Sequence, residues 1–144
     1  MRQTRRKYIE FEDDDHGDVV RYHRHPNGNG LVETTAQVDP TAYVDASAYV
    51  DPGAVVHGGA RIEAGGWVDR HALVGTGATV GSGAHLGRGA VLGRGASLGP
   101  RAKVGAHARI GSGVRIEADQ VVAQEAVIGE LPGRRGSNDV GVAA

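Results

Sequence analysis

Four histidines in the middle of the chain are the residues best suited to acid–base chemistry. They are His57, His71, His85 and His107, and an unperturbed imidazole changes its charge near neutral pH. Such a side chain takes a proton from a hydroxyl or an amine in group-transfer reactions. No two of the four are closer than fourteen residues in the sequence. The strands and turns that position them therefore decide whether any of them can act as a base. For each of the four, the alternative is a solvent-exposed histidine with no chemical role.

A basic stretch overlaps the last three of these histidines. From Arg70 to Arg115 the chain has seven Arg and Lys residues and no Asp or Glu. Such a stretch suits contact with phosphate or with an acidic protein surface. Glycines interrupt it and no aromatic residues are interleaved, which argues against nucleic acid as a partner.

The totals set broad limits on the kind of protein. The chain has 144 residues, a formal net charge of −1 and no cysteine, so disulfides and thiolate metal sites are excluded. No apolar run has the length of a membrane span, and no signal-peptide core follows the basic start. We expect one soluble domain without a membrane partner, located in the cytoplasm or in a virion or other assembly made there.

A period of six organises the region that holds the histidines. Every sixth residue from Val38 to Ile128 is Val, Ile or Leu, and the residue two positions earlier is small or apolar in all but one repeat, Gln120. Positions six apart on an α-helix are rotated by about 240°, which would scatter the aliphatic side chains around the helix. Residues two apart in a strand share a face. Each hexamer therefore predicts a short strand with two inward side chains.

The rest of each hexamer is turn material. In Asp51-Pro52-Gly53 the proline sets φ and the glycine accepts positive φ, as a type II turn requires. Glycine recurs at this last position in most repeats, whereas His71, Arg101 and His107 occupy it in others and predict strained corners. Three strands and three corners make one triangular coil of eighteen residues.

These residues resemble the hexapeptide-repeat family, whose motif is an aliphatic residue, Gly or Asp, two variable residues, a small residue and a variable one. The resemblance implies an all-β fold, a left-handed parallel β-helix of about five coils. It covers roughly residues 36–129. We predict an N-terminal cap in residues 1–35 and a C-terminal tail in residues 130–144. Lys7–Glu12 and Val19–Arg24 alternate like the strands of a hairpin that would cap the open end of the coil.

The residue before each aliphatic residue points outward, and sorting these residues by eighteen separates three faces. The first of these, the aliphatic face, is a column of mostly apolar side chains. An isolated monomer would expose polar side chains there, so the column indicates a surface that is covered. The family is commonly trimeric, so we expect a homotrimer with this column as the interface, or else a hairpin that covers it. The predicted interface residues are Val55, Leu73, Val91, Arg109 and Val127. The polar face carries Tyr43, Arg61, Thr79, Ser97 and Arg115, and the aromatic face carries Tyr49, Trp67, His85, Lys103 and Val121.

The resemblance also implies chemistry. Many members are acyltransferases that use acetyl-CoA and a histidine general base, and His85 and His107 are the candidates for that base. Zinc carbonic anhydrases of the family need two zinc-binding histidines close in sequence, which this chain lacks. The stacked acids Asp45/Glu63 and Asp51/Asp69 could bind Ca²⁺, but an acid after the aliphatic residue is ordinary in these repeats. We therefore expect no metal site.

Two functions remain after this comparison. The coil is uninterrupted and has no inserted loop that would build an acceptor pocket. The stretch Glu130–Gly136 lacks a short sequence motif that many of these transferases carry near the acyl-donor site. These departures favour a structural or interaction module without a cofactor, as a trimeric part of a larger assembly that binds a further protein. The alternative is a small acyltransferase with acetyl-CoA as donor.

Overall fold

The computed structural model describes residues 9–12 and 19–129, which form a left-handed parallel β-helix of about five coils. The predicted fold is confirmed: these residues contain strands and turns and no helix, hence none that is long and apolar enough to cross a membrane. The strands are β1 (Ile9–Glu12), β2 (Val19–Arg24), β3 (Leu31–Glu33), β4 (Gln37–Val38), β5 (Tyr43–Val44), β6 (Tyr49–Val50), β7 (Val55–Val56), β8 (Arg61–Ile62), β9 (Trp67–Val68), β10 (Leu73–Val74), β11 (Thr79–Val80), β12 (His85–Leu86), β13 (Val91–Leu92), β14 (Ser97–Leu98), β15 (Lys103–Val104), β16 (Arg109–Ile110), β17 (Arg115–Ile116), β18 (Val121–Val122) and β19 (Val127–Ile128).

Each coil contributes one strand to each of three parallel sheets. The aliphatic face is the sheet β4-β7-β10-β13-β16-β19, and the polar face is β5-β8-β11-β14-β17. The aromatic face runs β3-β6-β9-β12-β15-β18 and continues at one end into β2 and β1. Residues eighteen apart are directly paired, for example Trp67 with His85 and His85 with Lys103. The period of the sequence therefore becomes a vertical column of side chains on each face.

The interior is filled by the two inward residues that the period predicts in each hexamer, one aliphatic and one small. The inward aliphatic residues from Val44 to Val122 are at most 4% exposed, and the inward alanines from Ala48 to Ala108, two residues before them, are buried. Val38 and Ile128 at the two ends are only partly buried, because each lacks a neighbouring coil on one side. This dry core fixes the outward residues at regular heights.

The N-terminal hairpin is present in the described residues. β1 pairs antiparallel with β2, β2 pairs antiparallel with β3, and β3 pairs in parallel with β6. Val32 is 3% exposed and lies six residues before Val38, so the coil register includes β3. The predicted domain boundaries stay predictions, and the predicted tail in residues 130–144 lies outside the described residues.

The corners confirm the strain expected at non-glycine positions. His71, Arg101 and His107 have φ of 60°, 62° and 61°, and Asp119 and Glu125 share this conformation with φ of 64°. Asp and Glu at these corners were not singled out by the sequence, because glycine is the residue that usually marks positive φ.

The first coil builds its corners differently. The hydroxyl oxygens of Thr35, Thr41 and Ser47 accept hydrogen bonds from the corner N–H groups of the next coil at 2.9–3.0 Å. In later coils a backbone carbonyl takes this place, as Pro52 does for the N–H of His71 at 3.1 Å. The first coil thus joins the second through side chains.

Candidate active site

The candidate site lies on the aromatic face, where three rings stack along the prism axis. Tyr49 and Trp67 have ring centroids 5.7 Å apart, and Trp67 and His85 have centroids 3.9 Å apart with an angle of 18° between their planes. The stacking follows from the fold, since these residues are eighteen apart and pair directly in the sheet. One face of the His85 ring is therefore covered by the indole.

Asp69 holds the edge of the same imidazole. It follows β9 directly, at the start of a corner, and its Oδ2 lies 2.9 Å from His85 Nε2. The other carboxylate oxygen accepts the backbone N–H of Arg70 at 2.7 Å. Because a carboxylate only accepts hydrogen bonds, Nε2 carries the proton of the neutral ring and Nδ1 keeps the free lone pair. This tautomer makes Nδ1 the basic nitrogen.

The same arrangement occurs one coil earlier with an indole in place of the imidazole. Trp67 Nε1–H donates to Asp51 Oδ2 at 2.7 Å, and in both pairs the ring lies sixteen residues after the carboxylate. The indole nitrogen can only donate, which supports the same donor role for His85 Nε2. The second oxygen of Asp51 accepts the hydroxyl of Tyr22, on β2, at 2.7 Å.

Burial sets the electrostatics of the inner carboxylate. Asp51 is 9% exposed, and burial raises its pKa above the ordinary value, with the charge of Asp69 acting in the same direction. The hydrogen bonds from Tyr22 and Trp67 oppose this rise. Burial also raises the pKa of Tyr22 strongly, and the bond to Asp51 adds to the effect. The phenol therefore stays protonated and keeps donating.

Asp69 behaves in the opposite way. Burial is the largest influence and pushes its pKa upward, but the hydrogen bonds from His85 and from the Arg70 amide, together with nearby positive charge, outweigh burial. Its pKa lies below the ordinary value of 3.8. Asp69 is therefore ionised at neutral pH and stabilises a positive charge on the imidazole.

The structure separates the two histidines that the sequence proposed as bases. The side chain of His85 is 26% exposed beside Asp69. His107 lies on an exposed corner, where its ring fills the space above Gly89. Within the described part of the chain it has no carboxylate partner. A role for either residue stays a prediction, but only His85 is built into a carboxylate pair.

Sequence reasoning missed the partners of His85. It considered Asp51 and Asp69 only as a stacked acidic pair, whereas the structure gives each acid its own aromatic donor. Tyr22 was part of a predicted hairpin strand with no assigned role. The available signal was the spacing of sixteen between each acid and the ring it binds.

The acidic residues of the polar face are also paired one by one. Asp45 accepts hydrogen bonds from Ser47 and from the hydroxyl of Tyr43, and Glu63 lies 3.5 Å from Arg61. Over residues 9–12 and 19–129 no group of three or more His, Asp or Glu side chains is arranged to hold a metal ion.

A cleft lies at the N-terminal end of the aliphatic face. This cleft of about 410 Å³ is lined by residues that include His23, His25, His57 and Asp39. His25 is buried, with Nε2 2.8 Å from the carbonyl of Ala42. Asp39 Oδ1 accepts both the backbone N–H and the hydroxyl of Thr41. No histidine–carboxylate hydrogen bond forms among the cleft residues, so the cleft lacks the oriented base that the aromatic face has.

The predicted interface column runs along the aliphatic face in register. Val55, Leu73 and Val91 are half-buried, and Arg109 and Val127 are exposed. Its role as an interface stays a prediction.

Comparisons with known proteins agree on the repeat. The family described as bacterial transferase hexapeptide (six repeats) matches residues 83–118. A variant of perosamine N-acetyltransferase from Caulobacter crescentus, solved with CoA and GDP-perosamine, is 27% identical, with a TM-score of 0.66 over 91% of this chain and 57% of that one. PerB from the same organism, with the same two ligands, is 26% identical, with a TM-score of 0.58 over 82% of this chain and 56% of that one. Curated protein sequences give no match.

These similarities correct the main functional expectation. The expected structural or interaction module is wrong, because the similar structures are acetyltransferases. The uninterrupted coil was misleading, since the aromatic face builds a histidine–carboxylate pair without an inserted loop. The chain spans a little over half the length of these two similar proteins.

Proposed function

We propose that this chain, a hexapeptide-repeat protein, is an acyltransferase domain in which His85 is the general base and Asp69 orients it. The observation that carries the proposal is the 2.9 Å contact between Asp69 Oδ2 and His85 Nε2 on a partly exposed face. A base held in one tautomer by a carboxylate is the arrangement that activates hydroxyl and amine nucleophiles.

The reaction follows from that tautomer. Nδ1 of His85 takes a proton from the hydroxyl or amine of the acceptor as its oxygen or nitrogen attacks the thioester carbonyl of the donor. The imidazolium formed in this step is stabilised by the ionised carboxylate of Asp69. The carbon–sulfur bond then breaks, the acyl group stays on the acceptor, and the thiolate leaving group takes up the proton.

Acetyl-CoA is the proposed acyl donor. Arg88 and Lys103 are exposed near His85, and Lys103 pairs with His85 in the sheet. The charge of Arg88 contributes to the low pKa of Asp69, which places this guanidinium near the pair. No ion-pair partner for either cation occurs in residues 9–12 and 19–129. Both side chains are therefore suited to bind the phosphates of CoA. This binding would leave His85 and Asp69 available for the reaction.

We further propose that the active form is a homotrimer that buries the aliphatic column. An apolar stripe that ends in the exposed Val127 suggests a covered surface. The acceptor is an amine or a hydroxyl compound, and the acetyltransferases that resemble the chain favour an amino sugar.

The direct test is release of the CoA thiol from acetyl-CoA with a panel of amino sugars. We expect His85→Gln to lower the rate by about 10²- to 10⁴-fold, as loss of a general base does. His107→Gln and His57→Gln are matched controls on exposed positions and should leave the rate within about two-fold. A wild-type protein that neither releases thiol nor is stabilised by acetyl-CoA would overturn the proposal. Loss of activity only in His107→Gln would move the base to that corner.

A further inference from the structure

The hydrogen bonds behind His85 continue into the N-terminal hairpin. Tyr22, on β2, donates its hydroxyl to Asp51, and Asp51 accepts the indole N–H of Trp67. The opposite side of the contact chain is the stack of Trp67 on His85, with centroids 3.9 Å apart. Three short contacts therefore connect a hairpin strand to the proposed base.

Asp51 is the fixed point of this connection. Both of its oxygens are used, one by Tyr22 and one by Trp67, and Asp51 and Tyr22 are at most 9% exposed. In such an environment a broken bond leaves a buried polar group unsatisfied, which is costly. The indole of Trp67 therefore has little freedom to turn.

A fixed indole restricts the tilt of the imidazole ring, a motion that the hydrogen bond to Asp69 leaves free. The hydrogen bond from Nε2 to Asp69 fixes the edge of the ring but still permits a tilt about that bond. The stacked indole, 18° from parallel, opposes the tilt. Together the two contacts determine where the Nδ1 lone pair points.

We infer that Tyr22, Asp51 and Trp67 are positioning residues, through which the hairpin sets the orientation of the His85 ring. The consequence for acyl transfer rests on the proposed function, whereas the orientation itself does not. None of the three touches the acceptor or the donor in this inference, and each acts through His85.

The polar face supplies a matched control. Tyr43 donates its hydroxyl to Asp45 at 2.8 Å, and the guanidinium of Arg61 lies 4.6 Å from the centre of the Tyr43 ring. This tyrosine–aspartate bond resembles the one between Tyr22 and Asp51, but no histidine belongs to the polar face. Tyr43→Phe therefore removes the same kind of bond without changing the contacts from Tyr22 through Asp51 and Trp67 to His85.

Trp67 is the only tryptophan in the chain, so its fluorescence reports this contact directly. A protonated imidazole against an indole ring lowers its emission, and a neutral one does so far less. The titratable and charged groups around the stack are Asp69 at the imidazole edge, Asp51 behind the indole, Tyr22 and Tyr49, Lys103 on the neighbouring strand, Arg88 near Asp69 and Arg70 near Asp51. His85→Gln separates the contribution of the imidazole from theirs.

The experiment is a fluorescence titration of the full chain between pH 8 and pH 5. We expect emission to fall with pH in the wild type and to stay level in His85→Gln. Tyr22→Phe and Asp51→Asn should reduce the amplitude by about two-fold or more, because a loosened indole no longer covers the ring. Tyr43→Phe should retain the wild-type amplitude. A thermal melt of each variant identifies those that are folded.

Two results would overturn the inference. The first is a wild-type amplitude in folded Tyr22→Phe and Asp51→Asn. The second is a wild-type curve that His85→Gln does not change, since the stack would then be absent in solution.

Activity supplies the second readout. In Tyr22→Phe we expect kcat to fall by about tenfold, as a small misplacement of the base would cause, with KM for acetyl-CoA nearly unchanged. An unchanged kcat beside a reduced amplitude would show that the orientation has no catalytic role and would overturn that part. If the wild type transfers no acetyl group, the proposed function fails. The fluorescence titration still tests whether Tyr22, Asp51 and Trp67 set the orientation of the His85 ring.

Discussion

The two halves of the coil differ at one position of the repeat, the residue that follows each inward aliphatic residue. In the N-terminal half this position always carries a polar side chain, whereas from Gly75 to Gly111 it is glycine in every repeat, before Glu117 and Ala123 end the run. The N-terminal residues are Asp39, Asp45, Asp51, His57, Glu63 and Asp69, and the C-terminal glycines are Gly75, Gly81, Gly87, Gly93, Gly99, Gly105 and Gly111.

The glycines have a steric cause. A Cβ atom added to Gly81 would lie 2.4 Å from the carbonyl oxygen of Leu98, and one added to Gly87 would lie 2.5 Å from that of Val104. Side chains are thus excluded where successive coils approach closely, and the C-terminal half is a close-packed support. The N-terminal half keeps side chains at this position, and its four aspartates accept hydrogen bonds. His85 lies at the junction, on a glycine-type coil, and reaches back to the last acid, Asp69.

The largest effect that would test this contrast is on catalysis. Asp69→Asn should lower acetyl transfer by about 10²-fold or more, because the amide can donate to Nε2 and favour the wrong tautomer. Glu63→Gln, at the same repeat position on the polar face, should leave the rate within about two-fold. Thiol release measures both. Equal losses in the two variants would show that the N-terminal acids act on stability alone.

The second effect is on packing in the C-terminal half. Gly81→Ala should destabilise the protein by about 1–3 kcal/mol, because its Cβ collides with the backbone of the next coil. Gly113→Ala is the control, since a Cβ there meets nothing within 4 Å and only the positive φ is penalised, by roughly 1 kcal/mol. Denaturant unfolding compares the two. Gly81 itself does not have positive φ, so a Gly81→Ala variant as stable as the wild type would contradict the close approach.

The third effect is on pH dependence, where the two inner acids act in opposite directions. The pKa of Asp69 is lowered in the fold, so its contribution is present above the ordinary carboxyl value and disappears as pH falls through the folded value. The pKa of Asp51 is raised, so it favours the folded state in acid and loses this contribution as pH rises through the folded value.

Urea midpoints between pH 3 and pH 7 test this prediction. The stability difference between wild type and Asp69→Asn should shrink on acidification, and that between wild type and Asp51→Asn should grow. Differences that change in the same direction for both variants would contradict the assigned environments.

The smallest effect is expected at an exposed corner of the C-terminal half. Arg101 and Asp119 form two hydrogen bonds at 2.8 and 3.0 Å, but both side chains are 63% exposed and surface pairs contribute little. Asp119→Asn keeps a residue that tolerates positive φ and should not shift the unfolding midpoint measurably at physiological salt. A clear shift would mean that this corner contributes to the support.

The short strands and corners could be predicted because one short period determines them, and inward residues such as Leu86 and Leu92 recur every six residues. The left-handed course of the coil was implied by the family resemblance. The site could not be predicted in the same way, because its contacts cross the period. Asp69 reaches His85 from the preceding coil, and Tyr22 reaches Asp51 from a strand outside the repeat.

The two candidate bases illustrate the limit. In the sequence the period places His85 on a face and His107 on a corner, but it does not show which of the two has a carboxylate partner. The structure does: His85 on β12 contacts Asp69, whereas His107 has positive φ on an exposed corner. The decisive information is the direction of a side chain, which the period does not encode for outward residues.

The hydroxyl corners of the first coil solve a problem of threading. A uniform repeat can be wound in several alignments that differ by one whole coil and bury nearly the same side chains, so such a sequence needs a mark that defines its phase. Thr35, Thr41 and Ser47 provide it, since each places an oxygen on a corner N–H of the following coil. A chain displaced by eighteen residues would place Gly53, Gly59 and Gly65 there, and the corner amides of the following coil would bond to backbone carbonyls, as those of His71, Gly77 and Gly83 do. The three hydroxyl bonds would be lost, so the first winding is distinguished from the later ones by its side chains.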